Sequence, residues 1–239
     1  MKRPRLLIGA AVLAAALAGS VAVVGAASAA TDVKVTASIK VTGTFDGGGK
    51  RYIGSGDLGS GGQAEGQDPL FDLAAGATLK NVILGAPAAD GVHCAGSCNL
   101  TNVVWQDVGE DAATFRGTNA TVVIDGGSAA SASDKVFQDN RGSGGSVTIK
   151  NFKVSNFGKL YRSCGNCSTQ AARKVTITNV TATSGKVIAG VNTNYGDVAT
   201  LKGNSIGSIP TCWLYTGNNT GAEPVKTGSG ANGKNCIVS

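Results

Sequence analysis

The sequence predicts an all-β fold, a single-stranded parallel β-helix (β-solenoid). Three observations predict it. Short β-branched segments return along the chain, as Leu79-Lys80-Asn81-Val82, Leu100-Thr101-Asn102-Val103, Val122-Val123-Ile124-Asp125, Val147-Thr148-Ile149-Lys150-Asn151, Val175-Thr176-Ile177-Thr178-Asn179 and Leu201-Lys202-Gly203-Asn204. Their polar positions (Asn81, Asn102, Asp125, Asn151, Asn179 and Asn204) are 21, 23, 26, 28 and 25 residues apart. A repeat of that length denotes a solenoid. Helical periodicity is nearly absent after the amino-terminal segment, and no apolar i, i+3, i+4 run bounded by caps occurs. Gly is used 36 times in 239 residues, a texture of short strands and turns. A propeller or a β-sandwich is the alternative, but drift in the step fits coils with loops of varying length on one side.

Taken in order, the chain opens with Lys2, Arg3 and Arg5, an apolar run over residues 6–24, and Ala27-Ser28-Ala29. This is the form of a secretory signal over residues 1–29. An uncleaved membrane anchor is the weaker reading, since no second apolar span follows. The mature chain, residues 30–239, is expected to be one β-helix domain. Without the three basic residues of the leader, 18 Lys and Arg stand against 15 Asp and Glu, a net charge of +3. That is too weak to argue for nucleic acid.

Residues 31–67 alternate weakly through Val33, Val35, Ala37, Ile39 and Val41, then dissolve into glycine. They are expected to form an opening strand and a cap over the core. Asp46-Gly47-Gly48-Gly49-Lys50 reads as a turn. In the repeats that follow, inward Val, Leu and Ile stack into a continuous core. An Asn at one corner of each coil tolerates left-handed backbone and bonds its neighbour. Asn119 and Asn179 begin Asn-x-Thr triplets, read here as turn and ladder composition. Residues 211–215 are expected to cover the far end, with Cys236 tethering the Gly-rich tail.

Six cysteines after a secretion signal favour disulfides. Short loops suggest Cys94–Cys98, Cys164–Cys167 and Cys212–Cys236. Zinc held by the first two pairs and a redox role for Cys164-Gly165-Asn166-Cys167 are the rival readings, both disfavoured in an oxidising compartment.

Charged groups also recur at about the coil interval. Asp90 lies 21 residues before Asp111, Lys135 24 after it, and Lys159 another 24 on, with Arg162 close behind. If that interval is one coil, these groups stack on one face. Asp90, Glu110 and Asp111 then supply hard oxygen donors, the kind that suits calcium. Solvated surface carboxylates are the bland reading. Lys135, Lys159 and Arg162 beside them suit an anionic ligand, with Arg as a planar fork and Lys as a tunable amine. His93 is the only histidine and is read as packing beside Cys94. Serine-protease logic fails without another histidine. Trp105, Trp213 and Tyr161 are read as core or cap rather than sugar platforms. No phosphate loop or dinucleotide fingerprint is present.

Four stretches carry a family resemblance. They are Ala88-Ala89-Asp90-Gly91-Val92-His93-Cys94, Asp107-Val108-Gly109-Glu110-Asp111-Ala112-Ala113-Thr114-Phe115, Asp134-Lys135-Val136-Phe137-Gln138, and Phe157-Gly158-Lys159-Leu160-Tyr161-Arg162-Ser163-Cys164-Gly165-Asn166-Cys167. With Asn192-Thr193-Asn194-Tyr195-Gly196-Asp197, they resemble the small secreted pectate lyases of polysaccharide lyase family 3 over roughly residues 69–236. The resemblance implies a right-handed coil, calcium dependence, and cleavage of polygalacturonate by β-elimination. By position it makes Asp90, Glu110 and Asp111 calcium ligands, and Lys135, Lys159 and Arg162 the catalytic and substrate-binding cations. Lys135 is the favoured base and Arg162 its rival. The chain is expected to be secreted and monomeric, with no nucleic-acid partner and no membrane association once the signal is removed. Competing readings are a galacturonan hydrolase, which needs a carboxylate acid–base pair, and a non-catalytic solenoid that binds acidic wall polysaccharide.

Overall fold

A computed structural model describes residues 32–239; the signal assigned to residues 1–29 lies outside the described residues. Each β-branched segment pairs in parallel with its counterpart one coil along. The result is a right-handed parallel β-helix whose sheets are seven or eight strands deep. Three sheets run along it. The middle sheet joins Thr44–Asp46, Ala77–Lys80, the starts of Cys98–Trp105 and Thr121–Asp139, then Ser146–Lys150, Lys174–Thr178, Val198–Lys202 and Cys236–Val238. The back sheet joins Val33–Val35, Arg51–Gly54 and Ile83–Leu84 to residues 103–105, 127–129, 153–155 and 181–183. The site sheet joins Ile39–Val41, Phe71–Leu73, Val92–Cys94 and Ala113–Phe115 to the ends of three long strands and to Cys212–Thr216.

Period-two alternation explains the core. Leu79, Leu100, Ile124, Ile149, Ile177 and Leu201 are consecutive Cα partners on the middle sheet, and all are buried. Full burial of such a side chain is worth about 1.5–3 kcal/mol. The last of the row, Val238, has no coil above it and is 53% exposed. Trp105 and Tyr161 are core residues, as expected; Trp105 packs edge-on against Phe137 and Phe152.

The corner between middle and back sheets is the predicted polar ladder, with two corrections. Asn81, Asn102, Asn151 and Asn179 all adopt left-handed backbone, φ 51–54°. Asn102 Nδ2 donates to Asn81 Oδ1 at 3.0 Å, and Asn179 Nδ2 to Asn151 Oδ1 at 2.8 Å. Asp125, however, pairs with Thr101 and Lys150, so the corner seat belongs to Gly126, φ 73°. Likewise Gly203, φ 57°, takes the seat expected for Asn204. Glycine has no Cβ to clash there, which leaves the neighbouring polar group to act from one residue away. Asp125 Oδ1 still accepts from Asn151 Nδ2 at 2.7 Å, and Asn204 Oδ1 accepts from the Val180 amide at 2.8 Å.

The amino-terminal segment is also more than a cap. Residues 33–54 contribute a strand to each sheet in register. These strands are three or four residues long, too short for alternation to announce them. At the other end Cys212–Thr216 pairs antiparallel with Val225–Ser229. The cysteines pair as Cys94–Cys98, Cys164–Cys167 and Cys212–Cys236. Among the described residues no helix is long and apolar enough to cross a membrane.

Candidate active site

On the site sheet, residues alternate between core and surface. The inward partners Phe71, Val92, Ala113, Phe137, Tyr161 and Ala189 are buried. The other row runs Lys40, Asp72, His93, Thr114, Gln138, Arg162, Gly190 and Trp213, each the Cα partner of the next. The middle of this row, from Asp72 to Arg162, lines a groove of about 860 Å³.

The acidic groups arrive from the turns before the site strands. Those turns stack closely: the Glu110 amide donates to Ala89 O at 2.9 Å, and the Val92 amide to Ala112 O at 3.1 Å. Glycine makes the approach possible. A Cβ on Gly109 would stand 2.0 Å from Ala89 O, and one on Gly91, φ 50°, 2.3 Å from Ala112 O. The stacking gathers Asp90, Glu110 and Asp111, all buried, so that one oxygen of each lies within 4.8 Å of the others. Among the described residues Asp90 Oδ1 has no hydrogen-bond partner, and Asp111 Oδ1 has only the Lys135 ammonium, 3.5 Å away. Buried carboxylate oxygens are costly unless paired. A hard divalent cation fits this trio, since it takes oxygen ligands and would satisfy Asp90 Oδ1 together with an oxygen of Asp111.

His93 departs from its reading as simple packing. It lies in the groove row, and its Nε2 meets Asp90 Oδ2 at 2.6 Å. Its ring therefore fixes the orientation of Asp90, leaving Oδ1 turned away and free.

The cations share the same groove. Lys135 Nζ lies 3.2 Å from Glu110 Oε1, 3.5 Å from Asp111 Oδ1 and 3.2 Å from Asp134 Oδ2. Lys159, the Cα partner of Lys135 one coil on, pairs with Asp134 Oδ1. Among the described residues Arg162 makes no ion pair of this kind. Its Nη1 donates to Ser163 O and, at 3.1 Å, to Asn192 Oδ1, its guanidinium carbon stacks 4.1 Å above the Tyr215 ring, and Nη2 has no acceptor.

The charges shift one another. Burial drives Asp111 well above the usual carboxylate range despite Lys135, with Glu110 and Asp90 adding to the rise. Burial raises Glu110 too. For Lys135, burial favours the neutral amine, but Asp111, Glu110 and Asp134 outweigh it and hold the ammonium above its ordinary value. Burial also acts against Asp134, yet Lys159 and Lys135 bring it below its ordinary value. Arg162 is lowered, chiefly by burial.

All six predicted residues (Asp90, Glu110, Asp111, Lys135, Lys159 and Arg162) therefore line one groove. The sequence reading left out Asp72, Thr114, Gln138 and Tyr215, which line it too. Register carried the missing signal: Thr114, Gln138 and Arg162 are one outward row once the strands are aligned.

Comparison with known proteins agrees with this geometry. The chain matches the family model described as pectate lyase over residues 23–221. It is 53% identical over 194 residues to a probable pectate lyase E of Neosartorya fischeri, covering 80% of this chain and 75% of that one. It is 51% identical over 194 residues, with the same coverage, to pectate lyase E of Emericella nidulans. Among solved structures it resembles the catalytic domain of pectate lyase PelI from Erwinia chrysanthemi, with TM-score 0.71, 35% identity, and 87% of this chain and 97% of that one covered. It also resembles PelI solved in complex with tetragalacturonic acid, with TM-score 0.71, 34% identity, and 86% and 68% covered. Coil, groove and kinship agree, and the chain belongs to the pectate lyase family.

Proposed function

We propose that the chain is a secreted, calcium-dependent lyase that cleaves de-esterified polygalacturonate by β-elimination. The observation that carries this reading is the convergence of a buried carboxylate trio and three cations in one groove. An acidic polysaccharide needs cations to bind it, and the solved relative carrying tetragalacturonic acid supports that ligand class. The leader at residues 1–29 and the three disulfides suit an oxidising compartment outside the cell.

In this reading Asp90, Glu110 and Asp111 hold calcium. Calcium held by those residues would supply positive charge to neutralise the uronate carboxylate and to stabilise the charge that builds on it when the adjacent C5 proton leaves. Arg162 donates from Nη2 to the same carboxylate, and Lys159 lies beside it. Lys135 takes the C5 proton. The C5–H electron pair becomes the C4=C5 double bond, the bond from C4 to the glycosidic oxygen breaks, and that oxygen is reprotonated from water. The products are a new reducing end and a 4,5-unsaturated uronide. Lys135 must first lose its own proton. Two of the three carboxylates that hold it charged, Asp111 and Glu110, are the ones assigned to the cation, so occupying them weakens the field that favours the ammonium and leaves Asp134 as its remaining carboxylate partner. Activity is expected to peak at alkaline pH.

Absorbance of the unsaturated uronide on polygalacturonate tests this reading. Wild type should produce it only without chelator, and Lys135→Ala should produce little at either condition. Cleavage without that absorbance means hydrolysis, and retention of the polymer without cleavage means a binding module. Highly methylated pectin should react more slowly, because it lacks the carboxylate that the cations grip.

A further inference from the structure

Arg162 is held unlike Lys135 and Lys159 in the groove and unlike the buried Arg141. Lys135 and Lys159 both sit against carboxylates, and the buried Arg141 is gripped through two nitrogens by Asp139 at 2.9 and 2.8 Å. Arg162 is 5% exposed, yet its partners are all neutral. They are the Ser163 and Gly190 carbonyls, Asn192 Oδ1 and the Tyr215 ring. The buried Arg173 guanidinium also bonds only neutral acceptors, the Arg141 and Cys164 carbonyls and Gln170 Oε1, but it lies outside the groove; Arg162 is the buried guanidinium that lines it.

The surroundings are built around this arrangement. Asn192 is 0% exposed and itself fixed: its amide donates to Asp197 Oδ2 at 2.7 Å, and its Nδ2 donates to Cys164 O at 2.9 Å and Ser163 Oγ at 3.2 Å. Those bonds use up its donors and turn its oxygen toward Arg162. Asp197 supplies the negative end of the network but acts at one remove, through Asn192 and through Ser163 Oγ at 2.5 Å. Two glycines keep the slot open. A Cβ on Gly190 would lie 2.7 Å from Arg162 Cδ, and one on Gly165 would lie 2.3 Å from Nη2.

We propose that Asn192 and Tyr215 are positioning residues that form a neutral cradle for the Arg162 guanidinium, aiming it while leaving its charge uncancelled for an incoming carboxylate. The inference rests on the reading of Arg162 as the group that grips the substrate. A carboxylate in place of Asn192 Oδ1 would hold the guanidinium as firmly but would compete with the substrate for its charge. A ring face attracts the cation without neutralising it.

Chemical rescue tests the cradle. Arg162→Ala should lower kcat/KM on polygalacturonate by ~10²–10³-fold, the scale of losing one donor at a developing anion. Methylguanidinium at millimolar concentration should restore part of that loss, because the emptied slot keeps its acceptors and its ring. Rescue should persist when Tyr215→Phe is added and fail with Tyr215→Leu or Asn192→Ala. In the otherwise native chain, Tyr215→Leu should lower kcat by roughly 3- to 30-fold with KM moving less, and Tyr215→Phe, which keeps the ring face, should lower it several-fold less than Tyr215→Leu does. Should Asn192→Ala fail to fold, the Phe-against-Leu contrast at Tyr215 still decides. Full activity in Arg162→Ala sinks the reading of Arg162 itself. Loss of activity in Arg162→Ala with no rescue, or with equal rescue in every background, sinks the cradle alone.

Discussion

Asp111 is an acid that its surroundings do not want ionised, and the consequence can be measured. Burial raises both it and Glu110 above the values they would have in an unfolded chain. Between the unfolded and folded values, the cation-free native state binds more protons than the unfolded state. Its stability therefore falls as pH rises through that window. A cation bound at the trio opposes this loss and displaces those protons. Calcium should raise the melting temperature more at neutral pH than at acid pH, and calorimetric affinity should climb as pH rises from the usual carboxylate range. Asp111→Asn should weaken calcium binding by at least about 10-fold. The trio and Lys135 were legible because each is a charge recurring at the coil interval. His93 was not, because its link to Asp90 comes from a turn that folds three residues back on themselves, and a lone histidine has no interval.

At the scale of the element, the turns before the site strands set the spacing of the carboxylates. Gly109→Ala would force the 106–112 turn off Ala89, since the added carbon would stand 2.0 Å from a carbonyl oxygen. The expected result is a fall of ~10²-fold in kcat/KM, the effect of misplacing a site by about an ångström, with the unfolding transition still cooperative. The corner ladder answers to a different test. Asn151 sits at φ 54° and holds both Asp125 and Asn179. Asn151→Leu should cost about 1–2 kcal/mol in denaturant unfolding, the penalty of left-handed backbone for a residue with no local hydrogen bond to offer. The ladder itself was legible because Asn recurs beside a β-branched strand. Its exact seat was not legible wherever Gly126 and Gly203 stood next to Asp125 and Asn204, because either neighbour can take positive φ and only the register chooses.

At the scale of the whole molecule, the repeat length was the strongest signal in the sequence, and the class of fold followed from it. The first coil was hidden by short strands among glycines. The buried polar network of Asp139, Arg141, Tyr161, Arg173 and Asp197 was hidden too, since nothing local marks a charged residue as internal. The carboxyl end is closed by Cys212–Cys236, which joins the site sheet to the last strand of the middle sheet. Replacing both cysteines by serine should cost about 3 kcal/mol and lower the melting temperature.

In a stack where each coil touches only its neighbours, the two ends can open separately. The coil over residues 33–54 can peel away and leave every charged group from Asp90 to Arg162 in place. Opening from the other end first removes Tyr215 and then Asn192, and with them the grip on Arg162. On heating, loss of turnover should therefore follow opening of the tail and not of the first coil, and protease cuts confined to residues 33–54 should leave turnover in place.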